Sequence, residues 1–179
     1  MNTPLAQRQH QQRQWFNDIV AHHTADLADD SLPWLSATRE DAKQAIGNIA
    51  LPDRKQELWR YSSLDKLYKN SFHYHDFALS VLDKHALANW VYAEDESHRL
   101  VIANGRYVPE LSSSHALPDG ICIGSLRQIL ATEPERVARW LGQNAWRTAD
   151  IFSELNRALI DDGVFIHVAE NSSVDKPIE

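Results

Sequence analysis

Hydrophobic residues recur at helical spacing in five stretches of the chain. Residues 7–28 are polar and glutamine-rich but carry one narrow apolar stripe, as an amphipathic helix does. A second helix is predicted to begin at Thr38 as its N-cap, because acidic residues follow in the first turn. Two short helices are predicted, one after Gly124-Ser125 and one at a capping box that begins at Thr132. The last helix is predicted over Trp146–Ile160.

Strand-like alternation appears in the middle of the chain. Arg99–Ala103 and Arg106–Val108 are predicted strands that flank Asn104-Gly105. This dipeptide favours a type I′ hairpin, because both central positions of that turn need positive φ. Ile121–Ile123 is predicted to be a short buried strand. The mixture of helices with small strands indicates the α+β class, mostly helical with one small hairpin.

The tail of the chain changes from helical to strand-like spacing. Asp161-Asp162-Gly163 is predicted to stop the last helix, and Val164–Val168 then alternates between two faces. After a polar turn, Val174–Ile178 is a second extended segment with no later strand to pair with. Because an unpaired strand is a liability, we expect this chain to be the leading part of a longer protein. We also expect these exposed strands to allow self-association.

Composition narrows the classes of function. The 179 residues carry a net charge of −7, with 43% hydrophobic and 24% charged residues, which is ordinary for a globular protein. The acidic balance argues against a nucleic-acid partner, and no apolar run is long enough to cross a membrane. Without a signal-peptide pattern, a cytoplasmic protein is expected. The single cysteine, Cys122, excludes an internal disulfide and a cage of several cysteines.

His73 and His75 are the first candidates for a metal site. In a strand they would lie on one face, where they could share an ion. A third ligand is needed, and neither a cysteine nor an HExxH motif lies nearby in the sequence. Two exposed strand histidines are therefore the favoured interpretation. His22 and His23 occupy adjacent helix positions and cannot chelate from one face.

Two other stretches contain candidate nucleophiles. Cys122 lies on a short predicted strand, where a free cysteine is usually an inert small side chain, and a nearby cation would be needed to activate it. Ser112–Ser114 lies in a loop without a G-x-S-x-G elbow, which favours turn residues over a nucleophile.

The stretch Arg54–Tyr61 alternates charged and aromatic residues. It is either a partner surface built from Trp59, Arg60 and Tyr61, or a linker whose aromatic side chains anchor it to the helical core. The core-anchor interpretation is favoured, because buried aromatic residues are ordinary anchors.

Three stretches, in this order, resemble one known family. The first two are Leu51–Leu64 (LPDRKQELWRYSSL) and Leu100–Leu111 (LVIANGRYVPEL). The third is the tail of the chain, which reads FxxLNxAL from Phe152, DGVFIHV from Asp162 and VxKPI from Val174. Together they are similar to the N-terminal part of the SufB/SufD family of iron–sulfur cluster assembly proteins. The first stretch favours the SufD branch. Residues 1–50 match only in being helical.

This resemblance implies a fold, domains and partners. In the family, an N-terminal helical domain leads into a right-handed parallel β-helix, so residues 1–162 would be the helix-rich α+β domain and 163–179 the start of a β-helix. SufB and the ATPase SufC would be partners in a SufBCD complex, mainly through regions absent from this chain. The family's cluster-assembly cysteines and histidines also lie in those regions. No catalytic, cofactor-binding or metal-binding residue is therefore expected here.

Three hypotheses about function follow. The favoured one is a non-catalytic N-terminal part of a SufD-like scaffold, which needs no cofactor within these residues. An independent protein-binding module is the alternative. A small metal or thiol enzyme using His73, His75 or Cys122 is disfavoured, because no phosphate loop, cysteine pair or other strong catalytic motif accompanies them.

Overall fold

Helices and short antiparallel strands build the chain in a computed structural model that describes residues 4–24, 27, 32–72, 87, 97–113, 117–141 and 150–179. These residues divide between two compact units, one formed by Met1–Tyr74 with Ala138–Ile160 and the other by His75–Val137 with Asp161–Glu179. The architecture is α+β, as predicted. Its α-helices are α1 (Pro4–Thr24), α2 (Pro33–Asn48), α3 (Leu126–Thr132), α4 (Pro134–Ala138) and α5 (Ile151–Ala158), and its strands are β1 (Ile102–Ala103), β2 (Arg106–Tyr107), β3 (Ile121–Ser125) and β4 (Val164–Val168).

The first unit is helical, and its core is formed by α1, α2 and α5. On α1 and α2 the buried side chains lie on the apolar stripes, whereas α5 buries Ile151, Glu154 and Ala158. Two short 3-10 helices, Glu57–Trp59 and Leu67–Lys69, follow α2. The buried core residues are Phe16 and Val20 from α1, Ala42 and Ile46 from α2, and Ile151 and Ala158 from α5.

Two arginines bind the C-terminal ends of helices in this unit. Arg13 of α1 donates hydrogen bonds to the carbonyl oxygens of Ile46 and Ile49, the latter from Nη2 at 2.6 Å. Arg39 of α2 donates to the carbonyl oxygen of Ile160, just beyond α5. Because the last carbonyls of a helix lack partners within it and carry partial negative charge, a guanidinium there is stabilising.

Edge-to-face aromatic rings join the chain after α2 to α1, and α1 to α5. The ring centroid of Trp15 lies 5.5 Å from that of Tyr68, and that of Phe16 lies 5.4 Å from that of Phe152. The Trp15 indole also donates to the carbonyl oxygen of Asn70 at 2.9 Å. Aromatic pairs of this geometry contribute about 0.5–1.5 kcal/mol beyond area burial, so the Tyr68 ring helps to hold the 3-10 helix Leu67–Lys69 on α1.

The second unit contains the predicted hairpin. Strands β1 and β2 pair antiparallel, and Asn104 and Gly105 have φ of 49° and 82°. Both central residues of the turn therefore adopt positive φ, which confirms the type of turn that Asn-Gly favours.

Strands β3 and β4 form a second antiparallel sheet, in which Ile121 is opposite Val168 and Ser125 is opposite Val164. Val164–Val168 is thus paired within the chain. The sides of β4 alternate as predicted: Phe165 is buried, whereas Ile166 and Val168 are 46% and 44% exposed.

The last residues are also paired, which corrects the expectation that Val174–Ile178 has no partner. The amide of His98 donates to the Pro177 carbonyl oxygen at 2.8 Å, and the amide of Glu179 donates to the His98 carbonyl oxygen at 3.0 Å. Ile178 is thereby bridged to His98 in parallel orientation. The partner precedes the tail by about 80 residues, so the sequence pattern gave no sign of it.

Asp161 and Asp162 join the hairpin, β3 and α3. The Asp162 carboxylate accepts from the Tyr107 amide at 3.1 Å, the Arg127 amide at 3.0 Å and the Ser125 hydroxyl at 2.8 Å. Asp161 forms ion pairs with Arg127 and, at 3.5 Å, with Arg106. The residues predicted only to stop a helix therefore organise the second unit.

Three predicted helix boundaries are wrong. The second helix begins at Pro33, and the Thr38 hydroxyl donates to the Trp34 carbonyl oxygen within it. The Thr132 hydroxyl donates back to Gln128, so Thr132 ends α3 instead of opening a capping box. The last helix begins at Ile151, because Asp150 is its N-cap and accepts from two amides.

Candidate functional site

The segment from Asp53 to Ser62 is a set of consecutive tight turns. Its backbone bonds run from Gln56 to Asp53 at 2.9 Å, from Trp59 to Gln56 at 3.1 Å and from Ser62 to Trp59 at 3.1 Å. The Asp53 carboxylate also accepts from the Lys55 amide at 3.0 Å, and the Gln56 side chain donates to the Leu51 carbonyl oxygen. The segment therefore has a defined backbone without belonging to a long helix or strand.

The core-anchor interpretation of Arg54–Tyr61 is confirmed for Trp59 and wrong for Tyr61, and the partner surface stays a prediction. Trp59 packs on Phe152 of α5, with ring centroids 5.7 Å apart, so it is the core anchor. Tyr61 is 91% exposed and Leu58 is 85% exposed, so neither anchors the segment. Arg60, between Trp59 and Tyr61, is also exposed. Leu58, Arg60 and Tyr61 together are called the outer patch below.

Cys122 lies on β3 directly opposite His167 on β4. Both are half-buried, and the His167 ring stacks on Phe165 with centroids 6.4 Å apart. Within the described part of the chain, no three histidine, cysteine or acidic residues come together as a metal site. The proximity of Cys122 and His167 follows from strand register, which the sequence pattern alone did not reveal.

The other candidates divide between described and undescribed residues. His73, His75 and Ser114 lie outside the described residues. The ring Nδ1 of His22 lies 2.8 Å from the Asp18 carbonyl oxygen, within hydrogen-bonding distance. The Ser112 hydroxyl donates to the Val108 carbonyl oxygen at 2.7 Å and accepts from the Val101 amide at 2.9 Å, so it stabilises the turn after the hairpin.

A polar cleft of about 370 Å³ opens on the first unit beside α1. An ion pair between Arg8 and Asp65 crosses it, and the Tyr68 hydroxyl beneath is buried without a hydrogen bond. Burial is the main cause that raises the pKa of Tyr68, with Asp65 adding to it. The cleft is lined by Arg8, Gln11, Gln12, Asp65, Tyr68 and Lys69. Its arrangement offers hydrogen bonds but no nucleophile or paired acid and base.

Two arginines that bind helix ends in the first unit have no signature in the sequence. Arg13 and Arg39 sit on helices whose apolar stripes were predicted, yet nothing in their spacing marks them as partners of distant carbonyl groups. No helix within the described ranges is long and apolar enough to cross a membrane.

Similarity to known proteins extends over almost the whole chain. The family model described as the SufBD protein N-terminal region matches residues 10–179. An iron-sulfur cluster assembly SufBD family protein of Synechocystis sp. is 31% identical over 143 residues, which are 78% of this chain. The aligned residues span 30% of that relative's length. By the extent of the family match, the chain belongs to the SufBD family and corresponds to its N-terminal region.

Proposed function

We propose that this chain is a non-catalytic N-terminal part of a SufD-like scaffold protein that takes part in iron–sulfur cluster assembly. The observation that carries the proposal is the family match over residues 10–179. The name of the Synechocystis relative supports the biological process. Since the chain spans less than a third of that relative, the activity of the whole protein is part of the proposal.

The SufD assignment rests on the stretch Leu51–Leu64, which resembles the SufD branch more than the SufB branch. With this assignment, SufB and the ATPase SufC are the proposed partners in a SufBCD complex, held mainly through residues that follow this chain. A cytoplasmic location is proposed with it. The net charge of −7 supports protein partners over nucleic acid.

We also propose that residues 1–162 form one domain and that a right-handed parallel β-helix begins within 163–179. The exposed face of the β3–β4 sheet supports the β-helix. On that face Ile166 and Val168 are about half exposed and lie opposite the apolar Ile123 and Ile121. A single layer of a solenoid cannot bury its own apolar face, so a following layer is expected. In the isolated chain, the same face would favour self-association.

Genetic complementation tests the assembly role. Cells that lack the gene for the full-length protein should lose activity of iron–sulfur enzymes such as aconitase, and the intact gene should restore it. An enzyme without a cluster, such as malate dehydrogenase, serves as the control. Unchanged aconitase activity under iron limitation in the deletion strain would contradict the proposal.

A second measurement tests whether the only cysteine of these 179 residues takes part in cluster assembly. Full-length protein in which Cys122 is replaced by serine should assemble as much iron and sulfide as the unmodified protein. Loss of the cluster in that variant alone, with unchanged folding by circular dichroism, would assign the cysteine a direct role.

A further inference from the structure

The outer patch is exposed because its neighbour Trp59 packs toward the helical core. Trp59 lies against Phe152, and the hydrogen bonds from Asp53 to Ser62 fix the backbone on both sides of it. With Trp59 directed inward, Leu58 and Tyr61 are directed to solvent. A single exposed apolar residue is common and carries no information. Here two large side chains stand on a backbone that is already ordered, which lowers the entropy lost on binding.

The residue types of the outer patch are those of binding surfaces. Tyrosine and arginine are enriched among residues that dominate binding energy, and Tyr61 and Arg60 are adjacent. Among the described residues, the Arg60 guanidinium forms one ion pair, a long contact of 3.6 Å with Glu57, and both side chains are mostly exposed. Such a surface ion pair is weak, so Arg60 remains available to a partner carboxylate.

Charge around the outer patch indicates the chemistry of the partner. Arg54 and Lys55 are exposed and form no ion pair with any residue that the structure describes. They add positive charge beside the outer patch on a chain whose net charge is −7. The same segment also carries Asp53 and Glu57, so residues 53–61 have a net charge of +1 from three basic and two acidic side chains. A long polyanion such as nucleic acid or an anionic membrane would meet repulsion from the rest of the chain, whereas a short acidic segment would meet the local excess of positive charge.

We propose that Leu58, Arg60 and Tyr61, flanked by Arg54 and Lys55, dock a short acidic segment of another protein. Apolar side chains of that segment cover Leu58 and the Tyr61 ring, and its carboxylates pair with the three basic residues. This inference concerns a surface of the N-terminal region and goes beyond the assembly role proposed above.

Photo-crosslinking of the full-length protein in the cells that make it identifies the partner. The photoreactive residue p-benzoylphenylalanine replaces Tyr61, and mass spectrometry sequences the crosslinked peptide. We expect an adduct with a different protein, in a segment where Asp and Glu outnumber Lys and Arg. The matched control carries the same photoreactive residue at Trp140, which is also an exposed large side chain of the first unit, and should not capture that segment.

Binding of the identified segment, made as a synthetic peptide, then tests the residues. Tyr61→Ala should weaken the affinity of the full-length protein by about tenfold or more. Arg54→Glu with Lys55→Glu should weaken it and reduce its salt dependence. Lys66→Glu with Lys69→Glu makes the same change in charge, taking these 179 residues from −7 to −11 (four units), and should leave the affinity within about twofold.

Several outcomes would overturn the proposal. They are the absence of an adduct at position 61, an adduct with nucleic acid, lipid or a second copy of this protein, and capture of a neutral or basic segment. Equal weakening by both pairs of charge reversals would also overturn it, because general repulsion would then explain the effect. Circular dichroism checks that each variant remains folded.

Discussion

Arg39 and Ile160, separated by 121 positions, are joined by two hydrogen bonds from one guanidinium. Nε and Nη2 of Arg39 donate to the Ile160 carbonyl oxygen at 3.1 Å and 2.6 Å, and the arginine is only 3% exposed. This contact fixes the chain where it leaves α5. It also places a cation beside the negative end of that helix.

Replacing Arg39 with methionine should lower the free energy of unfolding by about 1.5–3 kcal/mol, because the Ile160 carbonyl group loses a charged donor while most of the apolar stem is kept. Urea titration measures the change. Arg54→Met is the matched control and should change stability by less than about 0.5 kcal/mol, since Arg54 is exposed. Equal losses of stability from the two substitutions would contradict a stabilising role for the Arg39–Ile160 hydrogen bonds.

Asp162→Asn should destabilise the second unit by about 1–3 kcal/mol. The two side chains have the same shape, but the amide nitrogen of asparagine cannot accept a hydrogen bond from the donors that face it. In Asp162, Oδ2 accepts from the Tyr107 amide and Oδ1 accepts from the Arg127 amide and the Ser125 hydroxyl, so asparagine can keep the donors of only one oxygen. Asp119→Asn, at an exposed position in the same unit, is the control. Amide chemical shifts of Tyr107 and Arg127 should move only in the first variant.

Two glycines should respond oppositely to the same replacement by alanine. Gly105 has φ of 82°, so a side chain there is strained even though nothing lies within 4 Å of the added carbon. We expect a loss of about 1 kcal/mol for Gly105→Ala and about 1–3 kcal/mol for Gly105→Val. Gly47 lies in α2 with the same open space, and Gly47→Ala should be neutral or stabilising by up to about 1 kcal/mol. A neutral Gly105→Val would place the turn elsewhere.

Tyr68 should make the stability of the first unit depend on alkaline pH. Burial, aided by Asp65, raises the pKa of its phenol above the ordinary value of about 10. The fold therefore favours the protonated phenol, and this contribution is fully present below about pH 10 and lost as pH rises through the folded-state pKa. Tyr68→Phe should remove that part of the alkaline decline. An unchanged decline in this variant would show that other groups cause it.

Shortening the chain to residues 1–162 should destabilise the second unit, because β3 loses its partner β4 and the Leu126 amide loses the Gly163 carbonyl oxygen. We expect rapid hydrogen exchange in Ile121–Ser125 and stronger self-association by light scattering. A chain ending at Ser173 keeps β4 and should retain protection there. If hydrogen exchange and light scattering are the same for the two shortened chains, the pairing of β3 with β4 does not stabilise the second unit.

Local features were predictable because their causes lie within a few residues. Asn104-Gly105 specifies its own turn, and Ser125 accepts from the Gln128 amide as an N-cap should. The start of α2 was missed for an equally local reason. Proline at the first helical position begins a helix as well as it ends one, and Thr38 can bond back to Trp34 inside it.

The rest could not be predicted, because it depends on residues far apart in the chain. The partner of Val164–Val168 precedes it by about 40 residues, and the three donors to Asp162 lie up to 55 positions away. The division of roles between Trp59 and Tyr61 also required Phe152, whose position opposite Trp59 no spacing rule gives. Hydrophobic periodicity identifies the faces that are buried but not which elements cover them.

The pairing of β3 with β4 sets an order of events during translation. Ile121–Ser125 is synthesised about 40 residues before Val164–Val168, the strand that completes its hydrogen bonds. At about 5–20 residues per second, the earlier strand waits about 2–8 s for its partner. During that interval its apolar side chains and open edge can meet other nascent chains. A ribosomal pause after Ile121–Ser125 has left the ribosome, but before Val164–Val168 has, would therefore increase aggregation without changing a single residue of the finished protein.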